Sequence, residues 1–508
     1  MRIPFPERIT PWHAGAFAAL ICAFELLLGT QPLFCACVFI YIMLATVAFN
    51  LAGGLYRAAG AFVFANAVLS LIFCQIAKVC VGEAADANLR APMTSILVYT
   101  GGMASILVAV VVSRKLVAKV PLLDRGRQNE NTRQTAIGCI AVGIGMPFLV
   151  SAIGADPGSI GAILNQFGQF LPLGLVLATY DEIRSSHGRR SANLALIIGS
   201  LYMVFIGGIL GTSKQGLFTP FASYVVVLGA LRYKLNYKGI LSIALVTWIM
   251  LYYLVPYAQV VRNYTRDLPT FDEHWDASIY WLNHLDDIRA EYNANDQDIE
   301  LNSGPHYYSK DRGFLERLGA LAMDDALIDT TDIHGAYGFQ PLIVGSENVV
   351  PHFIWKNKPV YLYNNSYAHE IGILGEEDFT TSISFGPSAD GYHQAKWIGV
   401  LVVMPLVLIV LFTIVDSVAG SIKHSPWGLI FTVYFLHAGA ESTLGSCFTS
   451  AFIVSITIVI TVYAARYVLP LVGSVLFPER RKTILVRSLQ PVPATHTALP
   501  PDTTIEHL

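Results

Sequence analysis

The sequence predicts an all-α integral membrane protein, and three observations predict it. Of 508 residues, 54% are hydrophobic and only 14% charged, with a mean hydropathy of +0.52. The apolar residues gather in runs of about 20, the length of helix needed to cross a hydrocarbon core of roughly 30 Å. The cations fall in alternate connections between those runs. A charge at the bilayer centre costs about 2.5 to 3.5 kcal/mol, so membrane chains push charge into loops. The net charge of -3 carries no message, because it averages segments on opposite sides of a membrane.

Twelve runs qualify as spans: 13–29, 33–52, 60–81, 94–113, 135–154, 159–179, 192–211, 216–231, 239–259, 397–416, 427–444 and 448–470. Asn165, Gln166 and Gln169 interrupt the sixth and Pro220 the eighth. Neighbouring helices can re-satisfy backbone groups freed by such breaks. With the N-terminus in the cytoplasm, the cytoplasmic connections carry Arg57, then Arg114 to Arg133, then Arg184, Arg189 and Arg190. Arg232, Lys234 and Lys238 follow, then Lys423 and the basic tail from Arg480. The short outer connections carry only Arg90 and Lys214. By the positive-inside rule both termini are cytoplasmic. The expected organisation is nine spans over 1–259, a mainly helical external loop domain over 260–396, three spans over 397–470, and a cytoplasmic tail over 471–508.

Several segments have plain readings. The seven cysteines lie in apolar runs, and Cys35-Ala36-Cys37 lacks the spacer and histidine partners of a zinc site, so they read as small core residues. The apolar run after Trp12 leads into another span and not into a small-residue cleavage site, so no cleavable signal is expected. The loop Arg114 to Arg133 reads as an orientation determinant and not as a nucleic-acid patch. Ser488 to Leu508, rich in Pro and Thr, reads as disordered. No repeat at a fixed period is present, which weighs against an inverted-repeat transporter.

The external block has helical patterning of its own. Apolar residues recur at helical spacing from Ser278 to Ile288, and Phe314, Leu315, Leu318, Leu321 and Ala322 form a second stripe. Such helices are expected to lie on the membrane surface or to cap a cavity. Soluble-enzyme motifs are missing: there is no phosphate-binding loop, dinucleotide fingerprint, His-Glu-x-x-His or Gly-x-Ser-x-Gly. What remains are cations and aromatics on the outer side. Lys214 runs against the charge rule and suggests an anionic partner, unless it snorkels to the interface. Arg262 and Arg266 follow the ninth span, where an arginine fork suits phosphate or anchors at headgroups. Of Arg312 and Arg317, Arg317 lies within the regular stripe and is the better candidate. Between Pro351 and Pro359, His352 is a candidate general base, Lys356 and Lys358 are candidate phosphate ligands, and Trp355 is a candidate sugar-stacking ring. Asp390 and Tyr392, in Asp390-Gly391-Tyr392-His393 before the tenth span, are candidates to orient an acceptor hydroxyl. Glu441 and His437 place ionisable groups at the outer membrane level, either for function or to pair with each other.

The order of these features resembles that of the Wzy-type oligosaccharide repeat-unit (O-antigen) polymerases of bacterial envelopes. The resemblance runs over about residues 200–400. It rests on Gly211-Thr212-Ser213-Lys214-Gln215-Gly216, on Tyr257 to Arg262 leaving a helix, on Pro351 to Pro359, on Thr380 to Ser384, and on Asp390-Gly391-Tyr392. The chain departs from the pattern where Lys214 stands for an arginine, His352 for an arginine and Asp390 for a glutamate. The resemblance implies a GT-C-like inner-membrane glycosyltransferase that needs no cofactor or metal. Such a protein acts at the periplasmic face on undecaprenyl-pyrophosphate-linked glycans, alongside a chain-length regulator and a flippase of the same pathway. It implies catalytic roles for His352 and Asp390, and pyrophosphate or substrate binding by Lys214, Arg262, Arg317, Lys358, Trp355 and Tyr392. An O-antigen ligase of the same architecture and a multispan flippase are the alternatives.

Overall fold

The computed structural model describes residues 1–125, 131–153, 167–265, 268, 270–298, 305–309, 319–350, 354–355, 358, 361–375, 377–379, 381–423 and 425–476. Among them the fold is entirely helical, apart from one isolated bridge between Arg2 and Lys234. Six helices are long and apolar enough to cross a membrane: Pro32–Ala52, Ala58–Val81, Pro92–Leu116, Tyr237–Thr265, Pro387–Ala419 and Leu444–Tyr467. Pro11–Leu27 and Leu194–Leu210 are shorter apolar helices. Proline opens four of these helices, at Pro11, Pro32, Pro92 and Pro387, where its missing N–H costs nothing and its fixed φ suits the first turn.

The core is built where Pro92–Leu116 packs against Pro32–Ala52 and Met404–Ala419, and where Ala58–Ala67 packs against Leu429–Glu441. Outside it, large apolar side chains such as Leu201, Leu241, Leu245, Trp248 and Ile460 stay exposed. Apolar surface on that scale, on helices this long, marks a helical membrane protein.

Helix boundaries depart from expectation in three places. The tenth span is preceded by a short helix of its own that opens at Pro387, so Asp390 to His393 lie inside a helix. The backbone breaks at Ala395 and Lys396, where Lys396 takes φ 48° and ψ -135°. The first segment is therefore a separate helix that packs against the start of the apolar part. The eleventh run forms only Leu429–Glu441, a helix of about 20 Å at 1.5 Å per residue. After Tyr467 the chain starts a new helix, Leu469–Leu476, because Pro470 cannot continue the old one. That helix packs on Thr132–Ile153 instead of beginning a tail. In the connecting block the stripe at 278–288 divides into Phe271–Leu282 and Leu285–Asp298, followed by Leu321–His334, Gln340–Glu347 and Tyr363–Glu370.

The bundle has two chemically distinct ends. The 25-residue helix Pro92–Leu116 is about 37 Å long at 1.5 Å per residue. Its first turn meets Asp325 of the connecting block, and Arg114 in its last turn faces Asp416. At the Arg114 end the chain gathers Arg57, Lys423, Arg232 and the N-terminal segment. The helix Lys214–Ala230 runs between the ends as well. It starts at the Thr212 turn and finishes just before Arg232, whose Nε donates to the Tyr56 hydroxyl.

Candidate functional site

At the end where Pro92–Leu116 begins, three carboxylates of Leu321–His334 fasten the connecting block to the bundle. Asp325 accepts from the backbone N–H groups of Arg90 and Ala91 and from the Ser95 hydroxyl at 2.6 Å. An anion there satisfies the orphan donors of a helix N-terminus. Asp324 accepts from the Tyr99 hydroxyl at 2.6 Å and the Gly386 N–H at 2.9 Å. A side chain at Gly386 would press into that carboxylate. Asp332 accepts from the Tyr392 hydroxyl at 2.7 Å. Burial pushes Asp324 up to about 7, with Tyr99 and Gly386 opposing the shift. Asp325 is raised by the same cause against its three donors.

Asp390 is fully buried and accepts three hydrogen bonds, from the Tyr367 hydroxyl (2.9 Å), Gln394 Nε2 (2.9 Å) and the Leu444 N–H (2.7 Å). With both oxygens engaged, it positions Tyr367 and the start of the helix at Leu444. Tyr367 is held protonated by burial first and by Asp390 second.

The break at Ala395–Lys396 frees the carbonyls of His393 and Gln394, which accept instead from the N–H groups of Tyr337 and Gly338 at 2.8 and 3.0 Å. This pairing lays residues 335–338 across the helix beside an open cavity of about 420 Å³, lined by Thr330, His334, Ala336, Tyr337, Glu370 and His393. Across the break, Gly391 and Gly399 meet backbone to backbone, and a Cβ at Gly399 would lie 1.7 Å from the Gly391 oxygen.

His393 is 2% exposed and packs between the rings of Tyr337 and Tyr367. The Thr331 hydroxyl lies 2.7 Å from the Leu327 carbonyl and 2.8 Å from His393 Nδ1. With the hydroxyl donating to Leu327, Nδ1 carries the proton and Nε2 is the basic nitrogen; with Nε2 protonated toward Glu370, Nδ1 accepts from Thr331. Nε2 makes no hydrogen bond; Glu370 Oε2 stands 3.3 Å from it, ready to pair with an imidazolium. A buried imidazole with one free nitrogen beside a carboxylate at a cavity can take a proton from a hydroxyl.

The sequence-predicted cations fall in two places. Arg262 Nη2 donates to the Thr212 carbonyl at 3.1 Å, which brings it to the turn that carries Lys214. Ser213 caps the helix beginning at Lys214 by accepting from the Gly216 N–H, and Thr212 holds φ 42°. This turn lies at the connecting-block end. Lys358 instead donates to the carbonyls of Val350 (2.9 Å) and Asn348 (3.4 Å), closing the end of Gln340–Glu347, and burial lowers its pKa. Trp355 is partly exposed beside it. Tyr392 is spent on Asp332 and stacks edge-on with Trp397. Arg317 and His352 lie outside the described residues. His437 and Glu441 stand 3.7 Å apart, and Glu441 also receives the Ser384 hydroxyl.

Sequence reasoning passed over His393, Glu370 and Thr331. One signal was available: Asp390, His393 and Gln394 sit at i, i+3 and i+4 after a helix-opening proline. Among the described residues no three His, Cys, Asp or Glu side chains converge as a metal site would require. Compared with known proteins, the chain matches no family model, no curated protein and no solved structure.

Proposed function

We propose that the chain is an oligosaccharide repeat-unit polymerase of the Wzy type. On this reading it is a twelve-span glycosyltransferase of the bacterial inner membrane, with both termini cytoplasmic and the connecting block in the periplasm. The observation that carries the reading is His393, a buried imidazole beside Glu370 at the wall of a cavity, at the same end of the bundle as the Lys214–Arg262 turn. The order of sequence features over residues 200–400 supports it independently.

The chemistry needs few parts. An acceptor sugar hydroxyl gives its proton to His393 Nε2 as its oxygen bonds to the anomeric carbon of the donor glycan. The bond from that carbon to the lipid pyrophosphate breaks, and its electron pair leaves with the pyrophosphate. Glu370 stabilises the imidazolium, while Arg262 and Lys214 meet the charge developing on the leaving group. The leaving group is activated already, so no nucleotide is required. Asp390 and Asp324 keep the helix that carries His393 in register.

The test is reconstitution. Purified protein given an undecaprenyl-pyrophosphate-linked repeat unit lengthens it one repeat at a time and releases undecaprenyl pyrophosphate. Transfer only to a lipid A core acceptor would make the protein a ligase. Transbilayer movement without transfer would make it a flippase.

A further inference from the structure

The opposite end of the bundle holds a second cavity of about 350 Å³, whose walls include Arg8, Asn50, Tyr56, Arg57, Arg114 and Lys423. Behind Arg57 and Arg114 lies Asp416, 1% exposed, whose Oδ2 lies 3.7 Å from Arg57 Nη1 and 4.0 Å from Arg114 Nη1. Oδ1 accepts from the Ala59 N–H at 3.3 Å. Both arginine distances are long beside the roughly 2.7–2.9 Å of a charge-assisted hydrogen bond. One carboxylate thus orients two guanidinium groups without consuming their donors, and each guanidinium carries five.

The rest of the wall adds to the surplus. Lys423 pairs with Glu7 and lies over the Tyr56 ring. Arg8 has no hydrogen bond or ion pair among the described residues. The Asn50 side chain bonds both the N–H and the carbonyl of Ile9, which holds Glu7 and Arg8 against the rim. Four cations against two carboxylates leave a surplus of two positive charges around one concave space. Two arginine forks over a shared counter-ion match the oxygens of a phosphate better than a single point charge would.

We infer that this cavity binds a phosphate-bearing anion, at the end of the bundle opposite His393. A phospholipid headgroup and a soluble phosphate share that chemistry. The site is independent of the glycan-transfer reading and stands or falls without it.

The experiment uses the full-length protein in detergent. It is titrated with dioctanoyl phosphatidic acid, with dioctanoyl phosphatidylcholine and with inorganic phosphate, and binding is read by native mass spectrometry. Removing a charge-assisted hydrogen bond to the anion weakens binding about tenfold or more, so Arg57→Gln/Arg114→Gln abolishes saturable binding across the titration. Glu7→Gln, at an exposed position, frees Lys423 and tightens binding severalfold. That arm holds even if the double variant, with Asp416 left unpaired, fails to fold. Arg189→Gln/Arg190→Gln makes the same charge change on a neighbouring loop outside the cavity and leaves binding unchanged. This pattern with phosphatidic acid alone supports the proposal with a lipid source; the same pattern with inorganic phosphate supports it with a soluble one. The proposal is overturned if neither probe binds, if phosphatidylcholine binds equally, if Glu7→Gln leaves affinity unchanged, or if the loop variant weakens binding as much as the cavity variant.

Discussion

The two ends of Pro92–Leu116 solve one problem in opposite ways. Each buries carboxylates, and a buried carboxylate must find donors or stay protonated. At the connecting-block end, Asp324, Asp325 and Asp390 take neutral donors: tyrosine and serine hydroxyls, an amide and backbone N–H groups. No cation is spent on these three, and among the described residues His393 Nε2 is left without a hydrogen bond. At the other end Asp416 faces two arginines, and the donors left over are guanidinium N–H groups. The first arrangement suits moving a proton and the second suits holding an anion. What each end leaves unsatisfied tells more about its use than the charges present.

The strongest way to break this contrast is Asp390→Ala. It orphans the Tyr367 hydroxyl, Gln394 and the Leu444 N–H, and is expected to cost about 3–9 kcal/mol at about 1–3 kcal/mol per buried unpaired group. Thermal unfolding in detergent measures it; a destabilisation below about 1 kcal/mol would show that Asp390 does not organise this end. Next comes Gly399→Ala, which drives a methyl into the Gly391 carbonyl. Overpacking of this kind costs about 1–3 kcal/mol, and it should shift the Tyr337 loop that rides on the helix above. Protease nicking near residues 335–338 reports that shift.

A pH series sharpens the contrast further. The folded-state pKa of Asp324 is raised from 3.8 to about 7, so the folded protein binds its proton more tightly than the unfolded chain does. The stability that this group contributes is therefore fully present below pH 3.8 and is lost as pH rises through about 7. Asp324→Asn removes that slope. The wild-type-minus-variant difference in unfolding midpoint should fall steadily across this window, and a flat difference would contradict the neutral-donor account. The smallest expected effect is that of Lys358→Met, which removes donors to two carbonyls and costs about 1 kcal/mol. Glycan transfer measured at a temperature where the variant is folded should not change, and a roughly tenfold drop would return Lys358 to the substrate site.

Much of the fold was legible because a helix in hydrocarbon must be long and apolar. Several described helices stand at or near the expected spans, and Arg57, Arg114, Arg232 and Lys423 gather at one end. Less legible were features that depend on one or two residues. The Lys396 break sets off a separate helix from Pro387 ahead of the tenth span, and nothing in the hydropathy marks it. The site was harder still. His393 was in view beside Asp390, but its value depends on Thr331, 62 positions earlier, and on Glu370, 23 positions earlier. Only folding brings those groups together. Asp416 likewise reads as one acid in an apolar run until Arg57 and Arg114 are seen to share it.

The most direct test of the account is His393→Gln, which keeps the size and a hydrogen-bonding group but cannot accept a full proton at neutral pH. Repeat-unit transfer by the purified variant, assayed with its fold verified by an unchanged unfolding midpoint, should fall about 10²- to 10⁴-fold, the usual worth of a general base. Transfer at the wild-type rate in a folded variant would contradict the assignment of this end as the catalytic one.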